Sequence, residues 1–252
     1  MTTDAGYQRF YGMNKRKVHP LTIPRIMISA PPSLISIRHG LTGISYVTCS
    51  ACASGAHAIG DGLRLIREGR ADIAVTGGTE APFALGLYKS WEALRVLSRT
   101  PARPFAKGRS GMNLAEGAAV LILEEMEHAR RRDAHVYAEL AGYGASSDAG
   151  HMTMPHLNGP VAAMSKALTD AGMQPSEVDY VNAHGTGTLT NDSTETKALH
   201  RAFGTHAKNL AVSSTKAMHG HALGAASALE LVATVLALQH NLVPPTAHYT
   251  EF

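Results

Sequence analysis

With 252 residues the chain is long enough to bury a core as one large domain or two smaller ones. Its formal charge of +3, from 23 Lys and Arg against 20 Asp and Glu, excludes a broad nucleic-acid footprint and leaves room only for local basic patches. Aromatic content of 6% with 24 glycines suits close-packed α/β layers joined by tight strand–helix turns.

In chain order, Met1 to Lys17 is polar and holds no apolar h-region, so no secretory signal is expected. Tyr7 to Pro32 carries basic residues and prolines with little periodicity and reads as loop. A short helix is expected over Ser33 to His39, ended by Gly40. Ile44 to Thr48, β-branched and aromatic, reads as a buried strand. Ala56 to Arg70 places Ile59, Leu63 and Ile66 at helical spacing, and the small residues Ala51, Ala53, Ser54 and Gly55 fill the junction. Cys52 thus stands on an elbow between strand and helix, where the helix N-terminus favours a thiolate.

Ala71 to Thr76 is a second strand, closed by Gly77 and Gly78. Pro82 to Lys107 is irregular, with one helix expected over Trp91 to Leu97. Ala118 to Leu123 is an apolar strand that runs into a charged helix, Glu124 to Arg132, and Tyr137 to Gly144 is strand-like. A helix over Val161 to Ala171 ends at Gly172. Two strand–loop–helix units follow. Val178 to Ala183 leads into His184-Gly185-Thr186-Gly187-Thr188 and a helix over Ser193 to Phe203. Leu210 to Ser214 leads into Thr215, Lys216 and His221, then a helix over Ala222 to Leu238 that is apolar nearly all round and is expected to lie buried between two sheets. The most apolar stretch, His221 to Gln239, contains Gly224, Ser227 and Glu230, so no membrane span is expected and the chain reads as soluble and cytoplasmic. This alternation argues for α/β architecture, in which chemistry gathers at strand carboxyl ends.

Cys49 and Cys52 form a C-x-x-C. A structural zinc site takes four ligands and no second cysteine pair exists to complete one, while a thioredoxin-like dithiol belongs to a much smaller domain. Cys49 therefore reads as a small packed residue. An H-x-H metal pair at His219 and His221 is disfavoured because a small-residue helix follows at once and no carboxylate lies at helical spacing; no metal is expected. Cys52, His184, Lys216 and His221 all stand at comparable strand ends, and together they make a candidate site.

V-T-C-S-A-C-A-S-G-A-H-A-I-G, V-N-A-H-G-T-G-T and S-S-T-K-A-M-H-G-H-A-L-G-A-A, in this order, resemble the three signatures of β-ketoacyl-acyl carrier protein synthases, decarboxylating condensing enzymes of the thiolase superfamily. The resemblance runs from about Tyr11 to the C-terminus. It implies a layered αβαβα fold, with residues 1–150 contributing part of an N-terminal half and residues 151–252 part of a C-terminal half. It also implies that Cys52 accepts an acyl chain as a thioester, that His184 and His221 hold the carbonyl of a malonyl carrier, and that Lys216 orders the site. By the same resemblance Thr186 and Thr188 bind the pantetheine arm, Glu230 pairs with Lys216, and Asp192 and Glu195 brace the histidine loop. The implied partners are an acyl carrier protein, met by Lys15, Arg16, Lys17 and Arg95, and a second copy of the chain. No cofactor is expected, since the substrates ride on the carrier's phosphopantetheine.

Relative to that family the chain reads as shortened at both ends, without the opening elements and without the Gly-rich, phenylalanine-bearing loop expected after Phe252. At Gly111 to Gly117 it carries Asn113 where an apolar residue is usual and Ala115 where glycine is usual. Two functions follow as expectations: decarboxylating Claisen condensation giving a 3-ketoacyl carrier, or a non-catalytic piece that dimerises or binds carrier without turnover.

Overall fold

In the computed structural model, which describes residues 2–249, two small sheets alternate with helical layers. Strand β1 (Ile73–Glu80) pairs antiparallel with β2 (Gly117–Glu124) in a register that sets Ile73 against Glu124 and Glu80 against Gly117. Strand β3 (Tyr180–Asn182) pairs in parallel with β4 (Ala211–Ser213). Between the sheets lie α4 (Ser54–Arg67) and α10 (Ala226–His240), and beyond β3 pack α7 (Asn158–Ala171) and α8 (Leu189–Phe203). The order is sheet, helices, sheet, helices: the expected αβαβα succession, with no outer helical layer on the first sheet among the described residues.

Two apolar clusters hold these layers. Ile59 of α4, Ala119 of β2 and Ala228 of α10 form the first, with Leu121, Leu123, Leu229 and Val232 packed around them. Leu199 and Phe203 of α8 and Leu210 form the second, covered by Met164, Leu168 and Val181. Close approach between layers depends on glycine at particular points. A Cβ on Gly55 would stand 2.9 Å from Ser227 Oγ and 3.1 Å from Ala228 N, so α4 and α10 touch backbone to backbone there.

The remaining helices are α1 (Thr2–Tyr7), α2 (Thr22–Ile26), α3 (Ala30–His39), α5 (Leu85–Ala93), α6 (Met126–Arg131) and the short α9 (Lys216–His219). α3 ends at Gly40 in the left-handed region, as its sequence expects, but starts at Ala30, ahead of the expected Ser33, with proline in its first turn.

Several elements differ from expectation. Within Tyr7 to Pro32, expected as loop, a π-turn over Gln8–Gly12 and α2 form, both closed by local backbone bonds and with none of their residues buried. The helix expected over Trp91 to Leu97 lies earlier, as α5, because Arg95 sits at a φ of +56° that ends it. Gly77 and Gly78 do not close β1, which runs on to Glu80; instead Gly77 faces the Ala119 carbonyl and Gly78 faces Ala225, where a side chain would not fit.

The stretches 44–48 and 137–144 are not strands. Neither finds a ladder partner among the described residues, and Ile44 and Tyr46 are exposed. The last helix begins later than expected because Leu223, at a φ of +44°, opens a 3₁₀ turn over Leu223–Ala225. Nor is α10 buried throughout: Ala226 and Ala228 are covered, but Leu236 and Leu238 are exposed. By length and composition Leu223–His240 is apolar enough to cross a membrane, a test that core helices also pass; here the helix lies against β2 and α4.

Candidate active site

The turn that carries Cys52 is built by a few small residues. Ala51 takes a φ of +47°, which turns the chain sharply ahead of α4. Ala53 N donates to Ser50 O at 3.1 Å and Ser54 N to Ala51 O at 3.1 Å, while Ser54 Oγ donates to Ala51 O and accepts from Ser50 N. Ser54 therefore fastens the turn from both sides, a role its type and position would have allowed sequence reasoning to assign. Cys52, partly buried on this turn, comes within 3.0 Å of His221 Nε2.

The two imidazoles converge on the same point. His184 and His221 stand edge to face, with ring centroids 5.3 Å apart and planes at 85°. One side-chain nitrogen of each and the Cys52 sulfur all lie within 4.8 Å of one another. That spacing would suit a metal, but the Lys216 ammonium, 3.3 Å from His184 Nδ1, opposes a cation at that spot.

Hydrogen bonds fix both tautomers. Leu223 N donates to His221 Nδ1 at 3.1 Å, so the ring proton of neutral His221 resides on Nε2, facing the sulfur. An ammonium can only donate, so Lys216 Nζ makes His184 Nδ1 an acceptor and leaves that ring's proton on Nε2 as well. Burial first, and then the Lys216 charge, holds His184 well below the usual imidazole range and His221 at about 3. The site thus presents two neutral N–H donors.

Lys216 is itself fully buried and its three protons are spent on His184 Nδ1, His184 O (2.7 Å) and the Glu230 carboxylate. Glu230 sits on the first turns of α10. Burial raises its carboxyl, and Lys216 pulls it back down. Glu195 braces the histidine loop directly: Oε1 accepts from His184 N at 2.7 Å and Oε2 from Gly185 N at 2.8 Å. Asp192 accepts from Phe105 N and Gly187 N and faces Arg109 at 3.6 Å. Asn191, not singled out in the sequence, donates to both carboxylates at 3.2 Å; its place beside Asp192 was the only signal.

Burial raises the Cys52 thiol, and the Lys216 charge lowers it only in part. The expectation that position ahead of a helix would favour the thiolate is thus outweighed by desolvation. Cys49 is exposed rather than packed. Thr186 is buried and Thr188 half-buried, their hydroxyls 2.8 Å apart. Lys15, Arg16, Lys17 and Arg95 stand exposed on connecting segments, outside the hydrogen-bond network of the Cys52 cluster.

Comparison with known proteins places this geometry. Residues 1–129 match the model of the β-ketoacyl synthase N-terminal domain and residues 137–250 that of the C-terminal domain. Nodulation protein E of Rhizobium leguminosarum bv. trifolii is 52% identical over 91% of this chain and 57% of its own length. The 3-oxoacyl-[acyl-carrier-protein] synthase 2 of Coxiella burnetii is 43% identical over 96% of this chain and 61% of its own. Among solved structures, a type II PKS acyl-carrier protein in complex with its ketosynthase bound to the hexaketide aligns with a TM-score of 0.94 at 35% identity, over 99% of this chain and 65% of that one. A β-ketoacyl synthase from Burkholderia phymatum aligns at 0.92 and 35%, over 99% and 62%. The chain spans about three fifths of the length of these curated relatives.

Proposed function

We propose a function on the premise that this chain belongs to the β-ketoacyl synthase family: it joins an acyl group on Cys52 to a malonyl group on an acyl carrier protein, releasing carbon dioxide. The observation that carries the reading is the convergence of the Cys52 sulfur with two neutral imidazoles whose protons sit on Nε2. Cys52 first displaces the thiol of an incoming acyl thioester, its own proton leaving with that thiol. The malonyl thioester then places its carbonyl oxygen between the Nε2–H groups of His184 and His221. As the bond to the carboxylate breaks, the electron pair moves into an enolate whose oxygen the two donors stabilise. The enolate carbon attacks the acyl carbonyl, the carbon–sulfur bond breaks, and one proton returns Cys52 to the thiol. The product is a 3-ketoacyl chain on the carrier.

Neutral donors suit this step. Charge appears on oxygen only in the transition state, and a fixed N–H meets it without reorganising solvent. Burial and then the Lys216 charge keep both rings neutral, and Lys216 orients His184 through its Nδ1. Around this centre the wider reading holds Thr186 and Thr188 on the pantetheine arm and Lys15, Arg16, Lys17 and Arg95 against an acidic carrier. It also includes pairing with a second copy, work in the cytoplasm and no cofactor. The solved ketosynthase complex with its acyl-carrier protein supports the carrier part of it.

A second reading is a non-catalytic piece that dimerises or binds carrier without turnover. One experiment separates them. The protein is incubated with an acyl thioester and with malonyl carrier, the Cys52 adduct is followed by mass spectrometry, and carbon dioxide release is measured. Condensation predicts an adduct on Cys52 that Cys52→Ala abolishes. His221→Ala is expected to cost decarboxylation roughly 100-fold, about 3 kcal/mol for one lost donor. A folded protein that takes up no acyl group and releases no carbon dioxide leaves the second reading.

A further inference from the structure

The segment from Gly111 to Ala115 joins the two histidine loops. Gly111 N donates to Gly187 O at 3.0 Å, in the loop that carries His184. Two residues on, Asn113 O accepts from His221 N at 2.7 Å, and Ala115 N donates to His221 O at 3.0 Å. His221 therefore hangs by both backbone groups from residues on either side of Leu114.

The other edge of this segment pairs with the chain after α5. Met112 N donates to Val96 O at 2.9 Å and Ser98 N to Met112 O at 2.8 Å, after which the backbone pairing stops. There the Asn113 side chain takes over. Its Oδ1 accepts from Ala102 N at 2.7 Å, and its Nδ2 donates to Ser98 O and Thr100 O, each at 3.3 Å. One amide thus supplies the rungs that main chain would have made.

We propose that Asn113 is a positioning residue for His221: its side chain fixes the segment against residues 98–102, and its carbonyl transmits that placement to the imidazole. Packing makes the transmission stiff. A Cβ on Gly220 would meet Ala115 Cβ at 3.0 Å and Asn113 O at 3.1 Å, so the loop before His221 has no slack to absorb a shift. An apolar side chain at 113 fills the same space and leaves the Ala102 N–H and the Ser98 and Thr100 carbonyls without this partner. The inference rests on the reading of His221 as an oxyanion donor, and its test carries a readout independent of turnover.

Two variants separate hydrogen bonding from volume. Asn113→Ala removes both, and Asn113→Leu keeps the volume but not the bonds. In long-range proton–nitrogen spectra of the imidazoles, wild type is expected to show His221 as a single Nε2–H tautomer, and both variants a mixture, with His184 unchanged. Decarboxylation kcat is expected to fall roughly 10- to 100-fold in both with KM nearly constant, the scale set by small misplacements of reacting groups. A His221 spectrum unchanged in both variants overturns the proposal, as does restoration of spectrum and rate by leucine. If wild type releases no carbon dioxide but the His221 signal still shifts in both variants, the positioning stands and the condensation reading fails.

Discussion

At the scale of single residues, burial first and a buried ammonium second keep the two imidazoles of the site neutral. His221, held at about 3 by burial and by Lys216, stays an N–H donor far below the usual imidazole range. A depressed value means that the neutral form is the one present above it. Decarboxylation is therefore expected to show no transition near the ordinary imidazole value of about 6.5 as pH is lowered to about 5. A pH–rate profile on malonyl carrier checks this, and an inflection near 6.5 would contradict it. The same depression links to stability. Between about 6.5 and about 3 the unfolded chain binds a proton at residue 221 that the folded chain refuses, so stability contributed by the neutral ring is full above 6.5 and is lost as pH falls. His221→Gln should flatten the acid limb of a denaturation-midpoint curve relative to wild type. Lys216 makes the opposite demand, since it needs its anion. Glu230→Ala strands a buried charge and is expected to cost about 3 to 5 kcal/mol, read as a lowered Tm. Lys216→Met together with Glu230→Leu should recover part of that loss while leaving His184 without its Nδ1 donor.

At the scale of elements, Cys52 is placed by the seating of α4 on α10. Gly55 starts α4 with no room for a side chain beside Ser227 and Ala228, and Ser227 Oγ accepts from Ala56 N at 2.8 Å. Gly55→Ala is expected to lift the first turn of α4, cost about 1 to 3 kcal/mol by overpacking, and slow iodoacetamide alkylation of Cys52 by drawing the sulfur from His221. Alkylation at the wild-type rate in a folded variant would show that the turn is held elsewhere. These elements also show where the sequence could be read and where it could not. The units around His184 and His221 were legible because each strand's partner, the other strand, lies within the chain, and local signals such as Gly172 after α7 agree with the packing. Cys52, His184, Lys216 and His221 were legible because small residues around them leave few other roles. The stretches 44–48 and 137–144 misled because their composition suits a strand, whereas a strand exists only against a partner, and β-propensity reports burial more than backbone preference. Arg95 and Leu223 shifted helix boundaries through left-handed φ values that neither residue type announces. The carboxylates around His184 could be named in advance, but the Asn113 bridge could not, because its partners at Ser98, Thr100 and Ala102 lie on an irregular segment.

At the scale of the whole molecule, the first sheet is covered on one face only. Ile73, Val75, Val120 and Ile122 alternate outward along β1 and β2, with Val75 opposite Ile122, and their exposures of 44, 39, 55 and 66% make one continuous apolar patch. A patch of this kind is buried by something or drives association. The stretch 44–48 before Cys52 offers a second surface for contact, with Ile44 and Tyr46 exposed and its backbone unladdered among the described residues. Contact through the first surface would bury side chains and contact through the second would pair backbone, so the two are separable. Val120→Lys with Ile122→Lys puts two charges into the patch without touching a residue of the site. The pair is expected to reduce concentration-dependent association in sedimentation velocity while leaving Cys52 alkylation unchanged. Tyr46→Pro removes a backbone donor from the stretch 44–48 and is expected to spare association through the sheet face. Association that survives the lysine pair and disappears with the proline would place self-contact on the segment 44–48 before Cys52, and the apolar face would then need another explanation.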